Sequence, residues 1–555
     1  MAQKTAQKKS KSAANIKTKT VPNKTKSKPL SNGYKETESE KASNRRKQMS
    51  KVSEDKLTSE EEVKTAVENS SEAVQMEAEH EAVPEESQKV SEIKVLKSAS
   101  ESNLKTEKNR KRKNVPLENG SETVQKETEE KKRSKMSKTK AKKQKFSIQV
   151  PPRKTVSGKI FVIGDNGVGA LGLGQDVEEK KRPALLDLPQ AMVDVAAGGM
   201  HSVCLTESGE VITFGCNDEG ALGRPTSEEP ATDEDSPFIP HRVEIPERIV
   251  QVCAGDSHSA ALSQSGQVYI WGNFRSGDGP MGLTPDGQKQ TSPIRILPGV
   301  TIVKIASGTD HFACLSADGS VYTFGCAENG QLGRVPERRS RNGGRGGLAT
   351  LLEPNIVHVS SSSKSLTIDE VWTGDYATFL RAHDTGSIWA FGLNNYNHLG
   401  YEGERVSFIP KKVSSFDNKE WKEISGGQHH TLTLDTEGLV YSMGRKDYGR
   451  LGLGENCDDT SSPTVIPTLA NERCTNVSCG GNCVSFAVTE QGYVFSWGLG
   501  DNYQLGHGDD EDRHVPKQIE GNFAKSWKVL KVAGGGMHTL ILACPRESTT
   551  TTSTK

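Results

Sequence analysis

Several things are missing from this 555-residue sequence, and each absence removes a class of function. No run of eighteen apolar residues occurs, and no apolar stretch opens the chain, so neither a helical membrane span nor a secretory signal is supported and an intracellular protein with no membrane partner is expected. The ten cysteines stand singly among strand-like letters and never form a CxxC pair, Cys479 and Cys483 coming closest, which favours reduced buried thiols over disulfides or zinc. There is no P-loop, GxSxG or HExxH string. The expectation is therefore no bond-making catalysis, no metal and no cofactor.

Large apolar residues and glycine are also absent from one end. Of 54 glycines only Gly33 and Gly120 precede residue 150, and the only aromatics there are Tyr34 and Phe146. Such a segment cannot offset the entropy of ordering its backbone, so residues 1–150 are read as a disordered tail. The formal net charge of zero hides a split: residues 1–150 carry 36 Lys and Arg against 23 Asp and Glu, a net of +13, which leaves −13 on the remainder. The charge is blocky, and KNRKRKNVP (108–116) and KKRSKMSKTKAKKQK (131–145) fit nuclear-import signals and nucleic-acid arms, centred on Lys111, Arg112, Lys113, Lys131, Lys132 and Arg133. A merely solubilising tail is the bland alternative.

What is present is a repeat. KIFVIGDNGVGALG (159–172), VITFGCNDEGALG (211–223), VYIWGNFRSGDGPMG (268–282), VYTFGCAENGQLG (321–333), IWAFGLNNYNHLG (388–400), VYSMGRKDYGRLG (440–452) and VFSWGLGDNYQLG (494–506) are seven copies of one pattern, with first glycines 51 to 57 residues apart except for one interval of 67. A period near fifty built of short alternating strands signals a propeller. A second, Gly-rich element (AGGMH, AGDSH, SGTDH, TGDYA, SGGQHH, CGGNC, GGGMH) precedes six copies and stands alone near the C-terminus. The two chain ends are complementary halves of one repeat, as ring closure requires. The expected architecture is all-β: a disordered tail (1–150), a seven-bladed β-propeller closed by pairing of N- and C-terminal strands (151–545), and a short polar tail (546–555).

Residues that match the consensus are presumed structural. His201, His258, His311 and His538, with His429 or His430 in the sixth copy, are read first as hydrogen-bonded core groups, and successive blades lie too far apart for such a ring to close a tetrahedral metal site. Function is sought where copies differ. The third copy is two residues longer and reads NFRSGDGPMGLTP (273–285), a stiffened hairpin; Asp256 and Asp310 replace small turn residues; and the long interval holds a basic, Gly-rich loop, RVPERRSRNGGRGG (334–347).

The seven copies, the strings FGCNDEGALGR, SGGQHH, GRKDYGRLGLGE and WGLGDNYQLG, and the extended third copy closely resemble the regulators of chromosome condensation, chromatin-bound guanine-nucleotide exchange factors for the small GTPase Ran. The resemblance spans residues 153–545. It implies release of GDP and loading of GTP on Ran around chromosomes, serving nucleocytoplasmic transport, spindle assembly and nuclear envelope formation, in a nuclear, chromatin-bound protein. It implies a propeller with one face on Ran and the other on the nucleosome, the tail meeting DNA and import receptors. By position, the hairpin with Phe274, Arg275, Asp278 and Met281 resembles the family's wedge; Asp310 and Asp256 match interface acids; His429 and His538 match GTPase-face histidines; Arg334 and Asn395 match further GTPase contacts. Arg338, Arg339, Arg341 and Arg345 match the loop that meets histones, Arg345 also falling at an expected GTPase contact. Gly167 departs from the pattern, standing where an acid is expected. The alternatives are a chromatin scaffold without exchange activity, or a regulator of a different GTPase or of a ubiquitin ligase.

Overall fold

The computed structural model describes residues 146–547, apart from 228, 229, 363 and 482. The basic runs at 108–116 and 131–145, with Lys111, Arg112, Lys113, Lys131, Lys132 and Arg133, lie outside the described residues, as does the C-terminal end past residue 547. Seven four-stranded antiparallel sheets form the body. Blade 1 joins the two ends of the body: Lys159–Asp165 and Glu179–Leu186 pair with Trp527–Gly534 and His538–Pro545. Its seam runs in register from Lys159↔Ala543 to Gly164↔His538. Blades 2 to 7 begin at Met192, Ile249, Ile302, Ile368, Trp421 and Cys474.

Each repeat folds the same way. An inner strand ends in the Gly-rich turn, the second strand starts at the consensus His position, and the third strand ends at the first glycine of the repeated string or one residue past it. That glycine always lies opposite the start of the second strand, as in His201↔Gly215, His311↔Gly325 and Val484↔Gly498. It has φ of 101 to 123° in all seven copies. At Gly325 an added Cβ would stand 2.5 Å from the Asp310 carbonyl oxygen, so a side chain is excluded by strain and by space. The register also settles the doubtful copies. His430, not His429, holds the consensus position, and the seventh copy places Val484 there rather than Cys483.

The consensus histidines staple blade to blade. Nε2 of His201, His311, His430 and His538 lies 2.8 to 2.9 Å from a hydroxyl on the next blade, respectively Ser259, Thr378, Ser485 and Ser202. Each hydroxyl already donates to a carbonyl, as Ser202 does to Ala170 at 2.7 Å, so the imidazole must be the donor and carries its proton on Nε2. Burial holds these rings neutral, lowering His201 to about 4 and His538 to about 3.

Both body boundaries shift from the sequence expectation. Residues 146–157 lie across the blade ends opposite the Gly-rich turns: Phe146 packs on His383 of blade 5, Ile148 donates its N–H to Ala317 of blade 4, and Lys154 pairs at 2.7 Å with the buried carboxylate of Asp194 on blade 2. Three apolar residues in five positions (Phe146, Ile148, Val150) supply the burial that the charge-based boundary at 150 overlooked. At the other end Arg546 donates to the carbonyls of Ala524, Gln491 and Gly492, so it belongs to the body rather than to a tail.

Candidate partner-binding face

The Gly-rich turns and the loops after the third strands emerge at one end of the ring, and the departures from consensus gather there. The long third copy folds as a hairpin, Phe274–Ser276 against Gly279–Gly282, with Gly277, Asp278 and Pro280 exposed at its tip. Phe274 and Met281 do not share the exposure of the tip. They are buried and root the hairpin between blades 3 and 4, Phe274 packing edge-on to His258 and Phe324.

Carboxylates from both sides hold the hairpin's polar atoms. Asp310 Oδ1 accepts the Arg275 N–H at 2.7 Å, Glu219 takes the Arg275 guanidinium at 2.7 Å and the Asn273 amide at 2.8 Å, and Glu328 accepts the Gly277 N–H at 2.9 Å. Asn273 Oδ1 closes the base by accepting from Gly282 at 2.7 Å. A loop held by charge-assisted bonds at its root and flanks presents a preorganised tip. Glu219 and Glu328 sit one register position apart in the second and fourth copies, inside strings that read as pure consensus, so nothing in their spacing marked them.

Beside the hairpin the Gly-rich turns surround a cavity of about 270 Å³ lined by Asp256 and Asp375 among others. Thr309 lines it too, and its neighbour Asp310 is within electrostatic reach of both acids. Burial raises its carboxyl to about 7 despite the bond from Arg275, and Asp256 and Asp375 add repulsion. Burial and then Asp256 raise Asp375 to about 7 as well. Asp375 was legible within TGDYA but hidden by the Ala at the consensus His position. Gly167, where an acid was expected, receives one from two residues upstream: its N–H donates to Asp165 Oδ1 at 2.8 Å.

Other expected contacts separate. His538 is fully buried in its staple to Ser202, because its place in the register is that of the structural histidines. His429 is displaced by one residue from that register and is half-buried, edge-on to Tyr396 at 5.1 Å, with burial first, then Arg450 and Arg445, lowering it to about 4. Asn395 is half-buried nearby, its Oδ1 lacking a hydrogen-bond partner. Arg334 is spent internally: its guanidinium donates to the carbonyls of Thr323, Thr350, Leu351 and Glu353, fixing the basic loop as Arg224 fixes its counterpart in blade 2. It positions the loop.

Arg338, Arg339, Arg341 and Arg345 are all exposed and form no ion pair with a described residue. Their loop connects the third and fourth strands of blade 4, so it departs from the hairpin's end of the ring and not from the opposite face; Leu348 packs into the cluster that holds Met281. The strand order dictates this departure.

A sequence profile described as the RCC1-like domain matches residues 159–541. The chain belongs to the RCC1-like family. The human Regulator of chromosome condensation is 46% identical over 410 residues, covering 73% of this chain and 95% of that protein. The yeast Guanine nucleotide exchange factor SRM1 (Saccharomyces cerevisiae) is 30% identical over 426 residues, covering 68% and 85%. Among solved structures, yeast RCC1 (Prp20) bound to Kap60 superposes with a TM-score of 0.64 at 28% identity, covering 73% of this RCC1-like chain and 91% of that one. Prp20p from Saccharomyces cerevisiae, described with its binding properties to Gsp1p and histones, gives 0.62 at 28% identity, covering 73% and 93%.

Proposed function

We propose that this RCC1-like protein is a chromatin-bound guanine-nucleotide exchange factor for Ran, acting in the nucleus to generate Ran-GTP around chromosomes for transport, spindle assembly and nuclear envelope formation. The observation that carries the reading is the hairpin at 273–285, pinned by Asp310, Glu219 and Glu328 with its Gly277–Pro280 tip free. A rigid tip beside a group of carboxylates suits the displacement of a phosphate-binding loop: the tip presses on the loop while Asp310, Asp256 and Asp375 offer charge to a basic residue that otherwise serves the phosphates. No bond is made or broken. The exchange factor and the nucleotide each bind the GTPase tightly and weaken one another by a coupling free energy that is reciprocal, so the ternary complex releases either ligand faster. Cellular excess of GTP sets the direction.

Asn395 and His429 extend the contact around the same end of the ring. Arg338, Arg339, Arg341 and Arg345 serve a separate task there, meeting an acidic histone surface with planar, unpaired guanidinium groups. The tail, with Lys111–Lys113 and Lys131–Arg133, supplies import-receptor and DNA contacts. Release of labelled GDP from purified Ran, with and without the full-length protein, tests the proposal; a release rate unaffected by the protein rejects it in favour of a scaffold.

A further inference from the structure

Blade 6 holds a charge that none of the contacts above uses. Its loop, residues 444–452, brings in two arginines. Arg445 is neutralised, Nε and Nη2 both lying 2.5 Å from Asp447 Oδ2. Arg450 is not. It is 1% exposed, its Nε donates to the Asp447 carbonyl at 2.9 Å, and its Nη1 is buried with no partner. The other two arginines held within such loops, Arg224 and Arg334, each give four bonds to backbone carbonyls. A buried guanidinium with one hydrogen bond and no ion pair among the described residues, the nearby Asp447 carboxylate being bonded to Arg445, is costly, and replacing such a charge with an apolar group of like volume is often stabilising. Stability alone does not account for it.

The surroundings point outward to a ligand. The Tyr448 ring lies over the guanidinium, 5.6 Å from its carbon, and is 49% exposed. Tyr448 has φ of 61°, a left-handed backbone that costs a bulky residue about 1–2 kcal/mol and tends to persist at binding sites. His429 Nδ1 and Asn395 Oδ1, in the adjoining turn and loop, are likewise buried without partners. Unsatisfied polar atoms of Arg450, His429 and Asn395 thus gather at the hairpin end of blades 5 and 6, where His398 Nδ1 is unpartnered too, and the Arg450 group alone carries charge.

We propose that Arg450 is a receptor for one carboxylate side chain of the GTPase, admitted beside the Tyr448 ring. This rests on the exchange-factor reading above. A planar fork with a single charge matches a carboxylate bidentately, whereas a phosphate dianion needs a second free cation and Arg445 is already paired. The face is then bipolar: Asp256, Asp310 and Asp375 on blades 3 to 5 receive a basic group, and Arg450 on blade 6 an acidic one, which fixes the rotation of the partner about the propeller axis.

The test uses full-length protein and Arg450→Met. The melting temperature is expected to stay level or rise, while affinity for nucleotide-free Ran falls by about tenfold or more, mainly through faster dissociation. A lower melting temperature with unchanged affinity marks a structural group and overturns the proposal. Should Arg450→Met fail to fold, Arg450→Lys retains the charge without the fork; wild-type affinity in that variant is equally fatal. Among Asp→Ala and Glu→Ala variants of Ran, one is expected to lose affinity for the wild type and not for Arg450→Met, and the absence of any such pair overturns the assignment. Inorganic phosphate that stabilises the wild type but not Arg450→Met, and competes with Ran, reassigns the site to a phosphate. A wild-type protein that fails to release GDP sinks the exchange reading itself, whereas normal exchange by Arg450→Met sinks only the carboxylate receptor.

Discussion

Asp310→Asn isolates the charge of one of the two strongly perturbed acids on the exchange face. The asparagine keeps an oxygen for the Arg275 N–H, held at 2.7 Å in the wild type, so the hairpin stays anchored while the carboxylate is lost. Burial, with Asp256 and Asp375 nearby, moves the wild-type carboxyl from an ordinary 3.8 to about 7. The folded state therefore holds this proton longer than the unfolded chain does, and stability falls as pH rises from about 4 to 7. At about 1.4 kcal/mol per unit the loss is bounded near 4 kcal/mol, and water at the cavity mouth screens it to about 1–2 kcal/mol. Asp310→Asn should then melt at or above the wild-type temperature at pH 8 and show a smaller drop in melting temperature between pH 5 and pH 8.

Exchange is expected to move the other way. If the ionised carboxylate receives a basic group of Ran, GDP release by the wild type rises through an apparent pKa near 7, a value shared with Asp375 because the two acids titrate as a coupled set. Asp310→Asn should be slower by tenfold or more, about 1.4 kcal/mol in the barrier, with the pH profile shifted toward Asp375 alone. Asp310→Ala should be slower still, since it frees the Arg275 N–H as well. Stopped-flow release of a fluorescent GDP analogue, alongside calorimetry from pH 5 to 8, reads both quantities. An Asn variant with the wild-type rate and profile would refute the charge argument and leave exchange to the hairpin tip.

Three further outcomes follow from the same geometry. Deleting residues 534–545 removes the strand paired with Lys159–Asp165 and strips Leu540, Ile541 and Leu542 from two cores, so the cooperative melt should vanish; a truncated body that melts normally contradicts closure at blade 1. Replacing Arg338, Arg339, Arg341 and Arg345 by glutamine should weaken nucleosome binding in a pull-down and leave GDP release within about twofold, because none of the four is bonded to the hairpin. Removing residues 1–145, and not 1–150, should flatten the salt dependence of DNA binding without lowering the melting temperature, since Phe146, Ile148 and Val150 stay in place.

Period and complementary ends made the ring legible from sequence, because both are consequences of chain geometry that survive any detail of packing. The hairpin was legible as an insertion. Its anchors were not: Glu219 and Glu328 act across blades, 56 and 51 residues from their partners, and no local pattern encodes such a distance. The burial of Phe274 and Met281 was not legible because an insertion reads as exposed along its whole length, whereas a hairpin needs an apolar root. The burial of His538 was hidden for a different reason. A match by position carried a partner-facing role onto a side chain whose hydroxyl partner, Ser202, lies 336 residues away on the far side of the seam.

One register position explains why functional residues collect where they do. The residue before the consensus His is Met200, Ser257, Asp310, Tyr376, His429, Cys483 and Met537 in turn, and in every blade its carbonyl accepts the N–H of the residue after the repeat glycine, at 2.8 to 3.3 Å. Here the architecture uses the main chain, so the side chain is released to vary; one position later it uses the imidazole, and variation is costly. Met200→Ala, 40% exposed, should accordingly change stability by less than about 0.5 kcal/mol. His201→Ala, one residue on, leaves Ser259 without its donor and a void between blades 2 and 3, and should cost about 2–4 kcal/mol. Equal losses in the two variants, measured by denaturant unfolding, would show that both positions are architectural. Asp310 and His429 would then owe their places to packing, not to the partner.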